Sequence, residues 1–319
     1  MKVVTFGEVM LRLQPERYLR FMQEPRFEAT FGGGEANVAV SVANYGTEAK
    51  FVTILPANPI AEACIAKLKS FDVDTSSIVR GGSRMGLYYI EKGASLRPTN
   101  IVYDRKGSSI AEAKREDFDW DNIFSGADWF HISGITPALS KSCLDISIEA
   151  VKTAKKLGLM VSCDLNYRSS LWNETDYQNA IKQILPFVDV CIGSRDELET
   201  ACGRNDLSTD ELANEVIKMY GCKYVSTILV EYCYSHDNHW QGVLYTEDYV
   251  YISKKYDIRM IDRIGAGDSF SAGLVYALVN GYKEQDAIEF ATAAGALKHT
   301  IEGDMNLVTK EEVLALINK

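Results

Sequence analysis

A glycine-rich turn that ends in a carboxylate is the segment of this sequence best suited to chemistry. Residues 262–268 read Asp-Arg-Ile-Gly-Ala-Gly-Asp and lead directly into a helical pattern. The backbone amides of Gly265, Ala266 and Gly267 then point outward at a helix N-terminus, where the helix dipole favours an anion such as a phosphoryl group. Asp268 is a poor ligand for phosphate itself, so it makes chemical sense as a general base or through a metal. A simple helix cap is the open alternative for this short motif.

Two common nucleotide-binding motifs are absent from the chain. No G-x-x-x-x-G-K-[S/T] sequence is present, which argues against a Walker loop. Gly265-x-Gly267 is followed by Phe270 where a dinucleotide fingerprint has its third glycine, and it stands near the C-terminus. The sequence therefore disfavours a Rossmann oxidoreductase.

A second glycine-rich segment lies near the N-terminus, where residues 31–39 read Phe-Gly-Gly-Gly-Glu-Ala-Asn-Val-Ala. Gly33 and Gly34 let a ligand approach the backbone closely, and the Asn37 amide can hydrogen-bond sugar hydroxyls. A tight turn between a strand and a helix would use the same glycines equally well.

Composition excludes several classes of function. Among the 319 residues, 34 Lys and Arg stand against 44 Asp and Glu, and the formal charge of −10 disfavours nucleic acid or an anionic membrane as a general partner. Seven cysteines at irregular spacing, without a C-x-x-C pair, argue against a disulfide framework or a zinc site and favour a reducing cytoplasm. No targeting segment or membrane-length apolar run is apparent.

Short β-branched runs alternate with helical patterns, which predicts an α/β fold with a mostly parallel sheet. Strands are expected at 3–6, 50–54, 128–132, 159–163, 189–192 and 224–229, and helices at 35–45, 60–71, 140–157, 177–187, 209–220, 266–279, 284–298 and 310–317. Parts of residues 10–31 and 86–105 lack the helical period and are expected to form a small β-sheet lid over the active site. Surface hairpins without a role are the alternative. No linker or repeat interrupts residues 1–319, so a single domain is expected.

Residues 262–270 closely resemble the C-terminal signature of the ribokinase-like carbohydrate kinases, also called the phosphofructokinase-B (PfkB) family, and residues 31–39 resemble its N-terminal signature. The resemblance runs along the whole chain. It implies a three-layer α/β/α sandwich with a mostly parallel central sheet and a small β-sheet lid, ATP and Mg²⁺ as cofactors, and Asp268 as the base. Within the family, residues 2–13 and 162–168 look most like the kinases that act on 2-keto-3-deoxygluconate.

The resemblance also implies a set of binding residues. Substrate contacts are implied for Gly34, Tyr89, Tyr103, Arg105, Arg168 and Asp304, beside Gly33, Asn37 and Asp268 from the glycine-rich motifs. Arg105 and Arg168 offer planar donors for the carboxylate of a sugar acid. Asn166 and Arg168, with Gly265 and Gly267, are expected near the nucleotide phosphates. Without the resemblance, any one of these side chains is better explained as an ordinary surface residue.

The chain departs from the family pattern at several points. The family's Asn-x-x-Glu, which helps hold the water shell of Mg²⁺, is here Ser194-Arg195-Asp196-Glu197, so only Glu197 is implied as an indirect metal ligand. Residues 230–237 replace the glycine-rich nucleotide loop that often follows this strand. Residues 10–13 replace an Asn-x-Asp motif, which disfavours pentose and nucleoside substrates. His236-x-x-His239 has no further ligands nearby and is expected to be loop.

The leading prediction is transfer of the ATP γ-phosphate to the terminal hydroxyl of 2-keto-3-deoxygluconate, giving the 6-phosphate. A kinase for another hexose or keto sugar, such as fructose, is the first alternative. A sugar-binding protein with a decayed nucleotide site is the second, suggested by Ser194 and residues 230–237. An aromatic lid sheet can also pair between subunits, so a homo-oligomer is a further expectation.

Overall fold

A computed structural model describes residues 1–23, 25–234 and 237–319, and the side chains of residues 231–237 lie outside that description. The strands are β1 (Lys2–Phe6), β2 (Met10–Gln14), β3 (Glu28–Gly32), β4 (Glu48–Leu55), β5 (Ile78–Arg80), β6 (Gly86–Glu91), β7 (Asn100–Asp104), β8 (Trp129–Ser133), β9 (Met160–Asp164), β10 (Val190–Ile192), β11 (Tyr224–Tyr234), β12 (Asp237–Tyr245), β13 (Val250–Ile252) and β14 (Tyr256–Arg259). The helices are α1 (Gly34–Asn44), α2 (Pro59–Lys69), α3 (Trp120–Ile123), α4 (Lys141–Lys156), α5 (Glu174–Ile184), α6 (Arg195–Cys202), α7 (Thr209–Tyr220), α8 (Ala266–Val279), α9 (Glu284–Lys298) and α10 (Lys310–Ile317).

The central sheet has the strand order β13-β12-β11-β10-β9-β8-β1-β4-β5, with β14 paired to β12 at one end. All neighbours from β11 to β5 are parallel, whereas β12 and β13 are added antiparallel. The predicted mostly parallel sheet is therefore confirmed. The antiparallel extension was not predicted, because its strands carry no helical crossover between them.

Successive residues of the central strands face opposite helical layers. Val3 packs into the core shared with α1, α2, α8, α9 and α10, and its neighbour Val4 packs into the core shared with α3 to α7. This alternation follows from the two-residue period of a strand whose two faces are both covered. The predicted three-layer α/β/α sandwich is confirmed.

The second sheet has the order β3-β2-β6-β7 and is formed by the two regions that were expected to make a lid. We call it the lid sheet. Arg12 and Tyr88 are buried on one of its faces, while Leu13 and Tyr89 are half-buried on the other. The lid sheet therefore has an inner face that turns toward the cavity described below and an outer, more apolar face.

No described helix combines the length and the apolar character that a membrane crossing requires.

Candidate active site

A cavity of about 460 Å³ lies between the lid sheet, the N-termini of α1 and α8, and the carboxyl end of β9. Ligands of open α/β folds bind at such carboxyl edges. The wall contains most of the residues predicted as a site: Gly33, Gly34, Asn37, Tyr103, Arg105, Asn166, Arg168, Gly265, Gly267, Asp268 and Asp304. The structure thus brings together residues that are up to 271 positions apart in the sequence, from residue 33 to residue 304.

Asp268 lies in the first turn of α8, where its Oδ2 accepts a hydrogen bond of 2.7 Å from Nδ2 of Asn37 in the first turn of α1. Gly34 is equally close, since a methyl group at its Cα would lie 3.6 Å from Oδ1 of Asp268. The two glycine-rich motifs of the sequence therefore face each other across one carboxylate.

The environment of Asp268 raises its pKa. The net pKa is about 6, and removal from water is the largest cause of the rise, although the hydrogen bond from Asn37 acts in the opposite direction. The nearby carboxyl groups of Asp304 and Glu35 also act to raise the pKa, and the guanidinium of Arg168 acts to lower it. A carboxylate with a pKa just below neutrality is well matched to proton abstraction at physiological pH.

Residues 262–268, which we call the glycine loop, form a tight turn that leads into the first turn of α8. Gly265 has a φ of 81°, and a methyl group there would lie 2.0 Å from the carbonyl oxygen of Asp304. Only glycine fits such a position. The amides of Gly265, Gly267 and Asp268 donate no hydrogen bond to any described residue, whereas the Ala266 amide donates to the Arg263 carbonyl at 3.2 Å. The amides of Gly267 and Asp268 lie in the first turn of α8 and are consequently available to an anion.

Arg105 is held at the cavity wall by a buried carboxylate that sequence reasoning missed. Its Nε donates to Oε2 of Glu8 at 2.7 Å, its Nη2 donates to the same oxygen, and Ser108 Oγ donates to Glu8 Oε1 at 2.7 Å. Glu8 follows strand β1. Its place at the carboxyl end of a parallel strand is the signal that could have identified it from the sequence. The Arg105 Nη1 group has no hydrogen-bond partner among the described residues and remains available to a ligand. Arg168 lies on the same wall and is exposed.

The carboxylate of Asp304 is bound from the lid sheet. Tyr88 Oη and Arg12 Nη1 both donate to it. Burial raises the pKa of Asp304, and the charge of Arg12 counters that effect. Tyr88 lines the cavity, yet the sequence prediction chose its neighbour Tyr89, whose ring lies on the outer face of the lid sheet, 6.2 Å from that of Phe27. The two-residue alternation along β6 is the signal that separates the two tyrosines.

Glu197 lies outside the cavity wall, at the start of α6. Its Oε2 accepts hydrogen bonds from Ser194 N and Oγ at 2.7 and 2.9 Å, and its Oε1 accepts one from Tyr167 N at 2.9 Å. Glu197 and Ser194 form a capping box that satisfies amides at the helix N-terminus. Both carboxylate oxygens of Glu197 are therefore engaged by the protein itself.

Asn166 has the feature that best fits a hydrated cation. Its Oδ1 is buried without a partner, its φ is 37°, and its Nδ2 lies 3.4 Å from Oδ2 of Asp164. Burial raises the pKa of Asp164, and the charges of Glu197 and Asp268 raise it further. Amide and carboxylate oxygens suit a Mg²⁺ ion that keeps several waters. No group of three or more His, Cys, Asp or Glu residues in the described part of the chain is placed to bind a metal directly.

His239, one of the two histidines that were expected to be loop, lies in strand β12. His239 Nδ1 contacts Asp257 Oδ1 at 2.5 Å on the neighbouring strand β14, and His236 lies outside the described residues. His239 is thus part of a strand, which corrects the loop prediction for that residue. Most of the unusual stretch 230–237 also lies outside the described side chains.

Comparison with known proteins decides the family. The profile described as pfkB family carbohydrate kinase matches residues 1–311. The chain belongs to the pfkB family of carbohydrate kinases. This pfkB kinase has the fold of the crystal structure of 2-dehydro-3-deoxygluconokinase from Thermotoga maritima, with a TM-score of 0.97 and 44% identity over 100% of this chain and 98% of that one.

Two curated relatives of this pfkB kinase are named as kinases of related sugar acids. The 2-dehydro-3-deoxygalactonokinase of Haloferax volcanii is 32% identical and covers 98% of this chain and 95% of its own length. The 2-dehydro-3-deoxygluconokinase of Bacillus subtilis is 26% identical and covers 99% of this chain and 95% of its own length. Carbohydrate kinase activity, predicted from the two signatures, is thereby confirmed.

Proposed function

We propose that this kinase transfers the γ-phosphoryl group of ATP to the terminal hydroxyl of 2-keto-3-deoxygluconate, which is the same compound as 2-dehydro-3-deoxygluconate. The product is the 6-phosphate. The names of the Thermotoga maritima and Bacillus subtilis proteins support this choice. The observation that carries the proposal is the Asp268 carboxylate, which is oriented by Asn37 beside two available amides and shares the cavity with Arg105 and Arg168.

We assign the proton transfer to Asp268. One of its carboxylate oxygens takes the proton of the sugar hydroxyl while the hydroxyl oxygen forms a bond to the γ-phosphorus. The bond between the γ-phosphorus and the bridging oxygen breaks, and ADP leaves with that electron pair. The amides of Gly267 and Asp268, at the N-terminus of α8, stabilise the negative charge of the transferring group. Gly265 and Ala266 shape this loop, since their own backbone contacts fix its turn.

We assign the sugar to the inner side of the cavity. The Arg105 Nη1 group and Arg168 pair with the substrate carboxylate, Tyr103 flanks them, and Gly33, Gly34, Asn37 and Asp304 contact the remainder of the sugar. Arg105 is suited to this role because Glu8 fixes its guanidinium without using Nη1. We assign Asn166 and Arg168, which line the same cavity, to the region where the phosphates of ATP meet the sugar.

Magnesium fits the same edge of the cavity. A bound Mg²⁺ would supply positive charge that offsets part of the charge of the phosphates. Asn166 and Asp164 are the residues that would hold its waters, because an unpartnered amide oxygen and a carboxyl group lie together there. Glu197 remains a predicted indirect ligand, and it would have to give up one of its capping hydrogen bonds to take that role.

We further propose that residues 1–319 act as one kinase domain that works in the cytoplasm as a homo-oligomer. Six cysteines whose side chains are described are all free, as a reducing compartment would leave them. The outer face of the lid sheet presents half-buried Leu13 and Tyr89 beside exposed Val102, and a second copy of the chain would cover them.

A coupled assay of ADP release tests the proposed function. The purified chain, ATP and Mg²⁺ are combined with 2-keto-3-deoxygluconate, its galactonate epimer, fructose, or the gluconate analogue whose carboxylate is reduced to an alcohol. Turnover with the sugar acids and much less with the two neutral sugars is expected. Preference for the epimer would move the assignment to the activity that the Haloferax relative is named for. Preference for fructose would support the neutral-sugar alternative, and sugar binding without any turnover would overturn the assignment as a kinase.

A further inference from the structure

Lys298, the last residue of α9, is fully buried, and the proposed reaction does not use it. Its side chain has 0% exposure. Its Nζ donates a hydrogen bond of 3.0 Å to the carbonyl oxygen of Ile301 and one of 3.4 Å to that of Asp262. A buried ammonium is costly unless the surrounding groups compensate it, so its position calls for a physical account.

The two carbonyls belong to the two segments that build the phosphoryl-transfer site. Asp262 opens the glycine loop, and Ile301 begins the turn that leads to Asp304. The two segments already pack closely, because the Ile261 and Asp262 amides donate to the His299 carbonyl at 2.8 and 3.1 Å. The Nζ atom of Lys298 contacts both segments at once.

The Asp262 side chain also connects the glycine loop to the 301–304 turn, and we call this contact region the junction. Its Oδ1 accepts from the Ile264 amide at 3.0 Å, and its Oδ2 accepts from the Gly303 amide at 3.2 Å and from Arg12 at 2.9 Å. The glycine loop and the 301–304 turn are therefore held at a fixed separation by one carboxylate and one ammonium. Beyond this junction lie the available amides of Gly267 and Asp268.

The neighbouring carboxylates only partly compensate the burial of Lys298. Burial lowers the pKa of Lys298 to about 8, although the carboxylates of Asp262 and Asp304 act to raise it, and the guanidinium of Arg12 acts to lower it. An apolar side chain of similar length would occupy the same space without desolvating a charge. What distinguishes the ammonium is its ability to donate to two carbonyl oxygens that face it from different segments.

We propose that Lys298 is a positioning residue for phosphoryl transfer: its ammonium joins the glycine loop to the 301–304 turn and so sets where the N-terminal amides of α8 stand relative to the sugar. The inference rests on the proposed function of that site. The carboxylate of Asp304, which is assigned to the sugar, is held separately by Arg12 and Tyr88, so loss of the ammonium should lower kcat with little change in the sugar KM. Small displacements of this kind in an active site commonly cost up to about 100-fold in rate.

The test compares two variants with different shapes. Lys298→Met keeps the bulk and removes the charge, and Lys298→Ala leaves space for propylamine, which supplies the missing carbons and ammonium. We expect at least about a tenfold loss of kcat in both. Propylamine or methylamine should restore turnover to Lys298→Ala but not to Lys298→Met, whose cavity is filled. Tetramethylammonium, which has no N–H donor, should restore neither.

A matched control and a folding measurement make the result decisive. Lys155→Ala removes a lysine that pairs with Asp189 at 2.7 and 2.9 Å, away from the cavity, and should change kcat less than about twofold, as is usual for ion pairs remote from the chemistry. Turnover is expressed per folded molecule, measured by near-UV circular dichroism. If neither variant folds, Lys298→Gln, which keeps an N–H donor, replaces them in the comparison.

Near-normal kcat of folded Lys298→Met would overturn the proposal, as would a lost kcat in Lys298→Ala that no amine restores. The comparison uses whichever sugar the wild-type chain phosphorylates best. A wrong choice of sugar in the proposed function therefore appears in the wild-type panel alone and leaves the Lys298 comparison intact.

Discussion

Asp268 has two properties that oppose each other energetically: it is withdrawn from water, yet it must be ionised to accept a proton. Replacing it with asparagine keeps the shape and the contact with Asn37 but removes the base. We expect Asp268→Asn to lose at least roughly 100-fold in kcat, the usual scale for removal of a general base. Since the variant no longer desolvates a charge, its melting temperature should equal or exceed that of the wild type.

Steady-state kinetics and differential scanning calorimetry check both halves of this prediction. Asp145→Asn, at an exposed ion pair with Lys141 on α4, is the matched control and should leave both quantities nearly unchanged. Near-normal turnover of Asp268→Asn would contradict the assignment of the base.

The raised pKa of Asp268 also predicts a pH dependence. The base is active when deprotonated, so kcat/KM should fall as the pH falls through about 6. The effect on stability has the opposite sign. Because the folded pKa is above the ordinary value of 3.8, the folded state binds the proton more tightly, and the resulting stabilisation is present at low pH and is lost as the pH rises through about 6. In Asp268→Asn the part of this stability change that Asp268 contributes should disappear, so the variant should lose less stability than the wild type between about pH 4.5 and 7.5, which urea unfolding measures.

Arg105 provides the test of carboxylate recognition. Arg105→Ala should lower kcat/KM for 2-keto-3-deoxygluconate by about tenfold or more, because hydrogen bonds between charged partners contribute about 1.5–3 kcal/mol. The analogue with an alcohol in place of the carboxylate should lose much less. Arg84→Ala is the control, since Arg84 pairs with Asp104 outside the cavity wall at 2.8 Å. Equal losses for the acid and the alcohol would remove Arg105 from this role.

At the scale of elements, the buried side chain of Arg12 ties the lid strand β2 to the catalytic segments. Its Nη2 lies 2.9 Å from Asp262 and its Nη1 lies 2.5 Å from Asp304, and Arg12 has no exposure. Arg12→Met would leave two buried carboxylates without their main cation. We expect a loss of about 3 kcal/mol or more in the free energy of unfolding, as is typical when one partner of a buried ion pair is removed.

Urea denaturation of Arg12→Met beside Arg97→Met measures this difference. Arg97 pairs with Glu91 at 3.1 Å at a partly exposed position of the lid, so its replacement should cost about 1 kcal/mol or less. Equal stabilities of the two variants would show that the buried network contributes no more than a surface pair.

Four helices were predicted with the bounds that the structure has: 209–220, 266–279, 284–298 and 310–317. Side-chain caps mark the starts of α7 and α10, and long runs of small and apolar residues mark α8 and α9, which are buried on most of their faces. The glycines after α1, α4, α7 and α8 adopt the left-handed conformation that a helix end needs.

Other elements were missed because their local signal is weak. Helix α6 reads Arg-Asp-Glu-Leu-Glu-Thr-Ala-Cys and has too few apolar positions to show a helical period, and the strands β12 to β14 form an antiparallel extension without alternating helices. Helix α5 begins three residues earlier than predicted, at Glu174, because the Asn173 side chain caps it. Within the site, the two glycine-rich motifs were visible locally. The pairings of Glu8 with Arg105 and of Arg12 with Asp304 join residues 97 and 292 positions apart, and no local pattern specifies them.

At the scale of the whole molecule, the outer face of the lid sheet argues for self-association. Val102 is 48% exposed, and its strand neighbour Tyr89 and the adjacent Leu13 are half-buried on the same face. Exposed apolar surface of this kind commonly marks an interface, and the free edges of β3 and β7 add unpaired backbone groups. A second copy that covers this face would also contact Tyr89, whose ring lies on the side of the lid sheet away from the cavity.

Val102→Glu tests this arrangement because an exposed position should tolerate the charge within a single chain. We expect the wild type to sediment as a dimer or larger assembly and Val102→Glu to sediment as a monomer, since an unpaired charge at the centre of an interface is strongly unfavourable. Leu96→Glu, on a lid loop where the leucine is 99% exposed, is the control and should keep the wild-type mass. A monomeric wild type at all concentrations, or an unchanged mass of Val102→Glu, would contradict pairing through the lid. If monomeric Val102→Glu also loses kcat, the second copy supports the closed position of the lid over Asp268, because the substitution itself lies on the face away from the cavity.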